Sequence, residues 1–306
     1  MKILVATEKP FSKAATDGIK KIAEASGFTV CLLEKYTDKS QFIEAVKDAD
    51  ALIVRSDKVT SDVVTAATKL KIVVRAGAGF DNLDLPSLTS KGIVAMNTPG
   101  QNSNAVAELA IGMMIFISRG QFTPGTGSEI HGKTLGIHAY GNVGKLVAHY
   151  GKAFGMKVFA FDPFIKDKAV FAADGVTAVD SVEELYSKSD FLSLHIPATP
   201  QTIGSINKAL LSKLPKGATL VNTARKEVIN EAELEELMAE REDLKYATDI
   251  APANIAALTE KFGKRVFATP KKMGAETAEA NLNAGIAAAN QIVDFIKNGN
   301  TKFKVN

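Results

Sequence analysis

The sequence predicts an α/β fold with parallel sheets, and three observations predict it. Short β-branched runs recur along the 306 residues, apolar without alternation, as strands buried on both faces are. Helically patterned stretches of about ten residues separate these runs, as strand–helix–strand crossovers require. The runs also fall into two groups, one within residues 1–95 and one beginning at 132. Two domains are therefore expected, and a chain of this length can bury a core in each.

Taken in order, the first group holds "KILVAT" (2–7), "ALIVRS" (51–56) and "KIVVRAG" (71–77). The second holds "TLGIHAYG" (134–141), "KVFAFD" (157–162), "FLSLHIP" (191–197), "ATLVNTA" (218–224) and "YATDI" (246–250). Between the groups, "NSNAVAELAIGMMIFISRG" (102–120) is apolar almost all round, which predicts a helix buried between layers. The Gly/Pro-rich "QFTPGTGSEIHG" after it predicts a surface loop. The Ala-rich segment 275–299 has helical spacing and side chains small enough for close packing.

Composition excludes several classes of function. With 46% hydrophobic and 23% charged residues the chain reads as an ordinary globular protein. The net charge is +3 and no basic run is dense, so neither nucleic acid nor a membrane surface is an expected partner. Cys31 is the only cysteine, which rules out an intramolecular disulfide and suits a reducing, cytoplasmic compartment. "MKILVATEKP" is too short for a signal segment, and "LAIGMMIFI" (109–117) too short for a membrane span. No metal is expected.

The most informative stretch is "LGIHAYGNVGKLVAHYGKAFGMKVFAFDPF" (135–164). A strand runs into a glycine turn, then a helix, then a second strand ending in Asp162, the context of a dinucleotide-binding fingerprint. Gly141 lets the backbone approach a pyrophosphate, Gly144 lets helix and strand pack closely, and the helix start at Asn142 and Val143 faces the anion. Asp162 can accept hydrogen bonds from a ribose and would repel a 2′-phosphate, which favours NAD over NADP. The fingerprint's first glycine is Ala139; alanine lacks glycine's access to positive φ but is small enough to admit the cofactor. A magnesium-dependent phosphate loop is excluded because Leu146 follows Lys145, where a hydroxyl would be needed.

The flanking motifs then become readable. "GKTLGIHAYGNVG", "LHIPATPQTIGSIN", "LVNTARKEVINEAEL", "VRAGAGFDNLDL" and "MNTPGQNSNAVAELAIGMM" resemble, in order and spacing, the D-2-hydroxyacid dehydrogenase family. "LIVRS", "RAGAGFDN" and "NTPGQNS" are most similar to its phosphoglycerate dehydrogenase group. The resemblance implies two doubly wound parallel-sheet domains with an interdomain cleft. The flavodoxin-like substrate domain would comprise residues 1–98 and 276–306, and the Rossmann NAD domain 99–275. It also implies NAD as cofactor, a homodimer, and oxidation of D-3-phosphoglycerate, an early step of serine synthesis.

Arg225 matches the family's catalytic arginine, which would hold the substrate carboxylate in paired hydrogen bonds. His195, Pro197, Thr223 and Asp249 fall at positions that line the cofactor. Two departures concern the acid–base pair: Asn254 stands where the family has a carboxylate, and Lys271 where it has a histidine. A carboxylate beside a lysine would hold it protonated, whereas Asn254 could position Lys271 by a neutral hydrogen bond. A free lysine titrates near ~10.4, so Arg225 nearby and burial in the cleft are expected to bring Lys271 into the working range. Lys272 is read as solvated or ligand-rim charge.

A phosphorylated hydroxy acid needs further donors. Arg55, Ser56 and Arg75 follow first-domain strands, whose carboxyl ends face ligand crevices in open sheets. The backbone at Ala76 and Gly77 could bind the carboxylate, and Asn102 opens a helix whose start favours anions. One arginine could instead pair with Asp57. The alternatives are a glyoxylate or hydroxypyruvate reductase, or a catalytically silent NAD-sensing module of the kind the family includes.

Overall fold

All eight apolar runs are strands in the computed structural model, which describes residues 1–306, and four more strands join them. The chain divides into two compact units, Met1–Asn102 with Glu276–Asn306, and Ser103–Ala275.

In the first unit β1 (Lys2–Thr7), β2 (Thr29–Glu34), β3 (Ala51–Val54), β4 (Ile72–Arg75) and β5 (Val94–Asn97) form a parallel sheet of order β2-β1-β3-β4-β5. Every residue of β3 is buried, and each fully buried aliphatic side chain contributes about 1.5–3 kcal/mol. The helix Ala278–Asn298 returns to this unit and packs against the helix Lys13–Ala25. Small residues set that contact: a Cβ on Gly285 would lie 3.2 Å from Ile19 Cδ1. Ser12 and Thr277 cap the two helix starts by accepting the N–H of Ala15 and Ala280.

The second unit holds β6 (Thr134–His138), β7 (Lys157–Phe161), β8 (Thr177–Ala178), β9 (Phe191–Leu194), β10 (Thr219–Asn222), β11 (Lys245–Thr248) and β12 (Val266–Ala268). They form one parallel sheet of order β12-β11-β10-β9-β6-β7-β8. The expected buried helix spans Ser103–Ser118 and packs on β10, β11 and the helix Asn142–Ala153. Met113, Met114 and Ile117 are in its core.

The four strands that the apolar runs did not mark, β2, β5, β8 and β12, are the four edges of the two sheets. β8 and β12 are short, two and three residues, and β2 is half-exposed along its length, whereas β5 is as long as the interior strands β3 and β4. An edge strand is covered less and paired on one side only, so it carries a weaker apolar signature.

Register sets the level at which the central strands of the second sheet end. His138 pairs with Leu194, Leu194 with Asn222, and Asn222 with Thr248. The residues one step beyond, Ala139, His195, Thr223 and Asp249, therefore leave four adjacent strands at one level.

Candidate active site

The glycine loop begins where β6 ends. Ala139 adopts φ 76°, so the alanine takes the left-handed conformation expected of glycine alone. Its N–H donates to the Phe161 carbonyl at 2.9 Å, and the Tyr140 N–H donates to Asp162 Oδ2 at 2.9 Å. Gly141 is the N-cap of the helix Asn142–Ala153 and supplies no side-chain cap, and a Cβ there would meet nothing within 4 Å. At Gly144 a Cβ would overlap the Ala139 carbonyl oxygen and lie 3.0 Å from Ile137 Cγ2. Close packing behind and open space in front leave the first-turn N–H groups without a side-chain acceptor, a cradle for a pyrophosphate. Asp162 accepts from Tyr140 N–H on one oxygen and from Phe164 N–H, at 3.0 Å, on the other. Each carboxylate oxygen keeps a lone pair for a ribose hydroxyl.

Along the level row, three side-chain atoms lack partners. His195 Nε2, Thr223 Oγ1 and Asp249 Oδ1 are buried with no hydrogen bond. Buried polar groups are otherwise almost always bonded, so this row, continuous with the glycine loop, fits a polar cofactor lying across β6, β9, β10 and β11. Pro197 is exposed in the loop after β9. Burial pushes His138 down to about 4, against the Asp162 charge, and His195 down to about 3, where the His138 charge acts in the same direction. Both imidazoles are neutral, and His138 Nδ1 shares a 3.2 Å hydrogen bond with the Tyr186 hydroxyl. Neither histidine is available as a general acid near neutrality.

Asp249 ties the lysine segment to the end of β11. Its Oδ2 accepts the Gly274 N–H at 2.8 Å, and Thr269 Oγ1 donates to the Asp249 and Lys271 carbonyls at 3.2 and 2.7 Å. Burial raises the Asp249 carboxyl above its ordinary value, against the Gly274 N–H and the Lys272 charge. Lys272 is exposed and an electrostatic neighbour of Asp249, as rim charge would be.

Asn254 corrects an expectation. Its Nδ2 donates to Glu235 Oε2 at 2.7 Å, not to Lys271, because Glu235 on the helix Glu231–Glu240 reaches it and also pairs with Lys261. Asn254 Oδ1 is buried without a partner. Lys271 is exposed, so the burial expected of it is absent. Arg225 is half-buried, and its Nη1 donates to the Ala224 carbonyl at 2.9 Å. Asn222 Nδ2 holds the Arg225 carbonyl at 3.0 Å, and Asn230 caps the following helix through the Glu233 N–H.

In the first unit the arginines are engaged locally. Arg55 Nη1 donates to the Lys9 and Pro10 carbonyls at 3.1 and 3.3 Å, and its guanidinium lies 5.4 Å from the Phe11 ring centroid. Its Nη2 donates to Asn281 Oδ1. Arg75 Nε donates to the Arg55 carbonyl at 3.0 Å, and its guanidinium fills the space a Gly77 Cβ would need. The alternative pairing of an arginine side chain with Asp57 takes another form: Asp57 accepts from Glu8 N–H, Tyr36 hydroxyl and Arg55 backbone N–H. The Ala76 N–H is spent on the Val54 carbonyl at 2.8 Å, which removes it as a carboxylate donor. Ser56 is exposed and Asn102 half-buried.

Sequence reasoning did not single out Tyr140, His138 or Glu235. Tyr140 had a signal, an aromatic side chain inside a glycine loop; Glu235 had none, since only the fold brings it to Asn254.

Residues 110–272 match the model of the D-isomer specific 2-hydroxyacid dehydrogenase NAD binding domain. The chain is 38% identical over 277 residues to a D-3-phosphoglycerate dehydrogenase of Methanocaldococcus jannaschii, covering 85% of this chain and 52% of that protein. It thus spans about half the length of the phosphoglycerate dehydrogenases it matches among curated relatives. A hydroxypyruvate reductase of Thermotoga maritima is 34% identical over 304 residues, covering 92% and 95% of the two chains. Among solved structures, the NAD+-bound 3-phosphoglycerate dehydrogenase of Entamoeba histolytica superposes with a TM-score of 0.90 at 50% identity, covering 100% and 98%. With the cradle, the aspartate and the row of unpartnered atoms in place, the chain belongs to the D-isomer specific 2-hydroxyacid dehydrogenases, and its second unit carries their NAD-binding domain.

Proposed function

We propose that this protein oxidises D-3-phosphoglycerate to 3-phosphohydroxypyruvate with NAD. The observation that carries this reading is the 50% identity to the Entamoeba histolytica 3-phosphoglycerate dehydrogenase over the whole of this chain. When bound, NAD supplies a hydride acceptor for C2 of the substrate. Arg225 holds the substrate carboxylate by paired N–H donors and fixes which face of C2 is presented. Lys271 Nζ takes the hydroxyl proton as the carbonyl forms, and returns it in the reverse direction. The first unit serves as the substrate-binding domain, with Arg55, Ser56, Arg75, Gly77 and Asn102 as its donors.

A second reading, reduction of hydroxypyruvate, is favoured by the Thermotoga maritima relative, which this chain matches over 95% of its length. The engagement of Arg55 inside the first unit also leaves fewer donors for a phosphate. The deciding measurement is NADH formation from NAD at alkaline pH, with 3-phosphoglycerate and D-glycerate compared by kcat/KM. A clear preference for the phosphorylated acid supports the first reading; preference for glycerate supports the second. NAD binding without turnover of either points to an NAD-sensing module.

A further inference from the structure

We propose that Tyr140 is the positioning residue of the cofactor loop, holding Ala139 in a conformation that glycine would adopt freely. Ala139 is the only residue in the loop with positive φ, at 76°. An L-residue stays in that region only where its surroundings over-determine it. The two backbone pegs, Ala139 N–H to Phe161 and Tyr140 N–H to Asp162, are ones any residue pair could make.

The side chain of Tyr140 adds a third. It is 1% exposed, its ring centroid lies 4.8 Å from that of Phe171, and its hydroxyl donates to Asp174 Oδ2 at 2.9 Å. Lys152 Nζ fixes Asp174 in turn by donating to its carbonyl. Lys145, in the first turn of the following helix, sits with its Nζ 5.7 Å from the Tyr140 ring centroid. The residue after the strained alanine is thus anchored in the core at the far end of its side chain. Freed from that anchor, Ala139 relaxes toward negative φ. Its carbonyl then leaves the contact with Gly144, and the helix start loses its place beneath the pyrophosphate.

The proposal rests on the NAD-binding assignment and not on the identity of the hydroxy acid, so binding rather than turnover tests it. NAD affinity is measured by calorimetry for the intact chain, Tyr140→Phe, Ala139→Gly and the double variant. Tyr140→Phe should weaken NAD by about 3–10-fold, within the range of coupled neighbours. In the Ala139→Gly background the same change should cost less than about twofold, because glycine needs no anchor. Asp174→Asn keeps an acceptor and should bind like the intact chain, whereas Asp174→Ala should behave like Tyr140→Phe. If Tyr140→Phe does not fold, Asp174→Ala replaces it in the cycle. Equal losses in the intact and the Ala139→Gly backgrounds overturn the proposal, as does the absence of any loss in the intact background.

Discussion

At the β6–β7 side of the level row, polar groups are paired within the chain: Ala139 and Tyr140 N–H have acceptors and both oxygens of Asp162 have donors. At the β11–β12 side the pairing is incomplete. Asp249 Oδ1 and Asn254 Oδ1 are buried without partners, and Lys271 is exposed. The difference follows from what each region is made of. An anion cradle built from main-chain N–H groups is complete as soon as the strand, turn and helix have formed. An acid–base region built from side chains depends on groups that arrive from several elements. Its surplus is of acceptors, and lysine is a donor only, so the two are chemically matched. Glu235 takes the donor end of the Asn254 carboxamide, which leaves the acceptor end for another group.

The largest effect expected is at the side-chain end. Lys271→Ala should lower kcat by about 10²–10⁴ while NAD affinity, set at the other end, stays within about twofold. Lys272→Ala should barely change kcat, since its charge acts on Asp249 and not on the reacting atoms. Near-normal turnover in Lys271→Ala would remove that lysine from the chemistry and dissolve the contrast.

A middle-sized effect sharpens the main-chain end. Gly144→Ala puts a Cβ into the Ala139 carbonyl and should destabilise the fold by about 1–3 kcal/mol, with weaker NAD binding. Gly141→Ala meets no protein atom, so stability should change by about 1 kcal/mol or less while NAD binding still falls. Urea midpoints with calorimetric titrations separate the two; parallel losses of stability in both would show that Gly141 is not facing a ligand.

A separate, pH-dependent effect concerns the histidines between the two ends. His138 and His195 titrate at about 4 and about 3 in the folded chain, below unfolded histidine near ~6.5. Between those values the unfolded chain binds more protons, so stability is full above about pH 6.5 and declines as pH falls below it. Asp249, raised by burial, acts with the opposite sign. The urea midpoint should fall from pH 7 to pH 5, and the fall should shrink in His138→Asn. An undiminished fall in His138→Asn would show that burial does not depress that imidazole.

Much of the fold was legible in the sequence, for identifiable reasons. Interior strands announce themselves because burial on both faces demands an unbroken apolar run. The edges β2, β5, β8 and β12 did not, because one-sided pairing demands less, and β8 and β12 are also short. Gly141, Gly144 and Asp162 were legible because turn geometry and close approach leave few residue types able to serve. Asn254 misled because its partner, Glu235, lies on a different helix. Arg55 and Arg75 read as ligand donors on strand position alone, and that position also brings them against Lys9, Pro10, Asn281 and each other.

The amino-acid sequence by itself determined the two groups of parallel strands, the helix-starting glycine loop and the aspartate beyond it. All three rest on local conformational preference and patterning within a few tens of residues. Only the tertiary structure decided that His195, Thr223 and Asp249 leave their strands level with Ala139, that Ala139 is held left-handed, and that Asn254 turns to Glu235. Strand order and register arise from packing between segments distant in sequence, and no local preference encodes them.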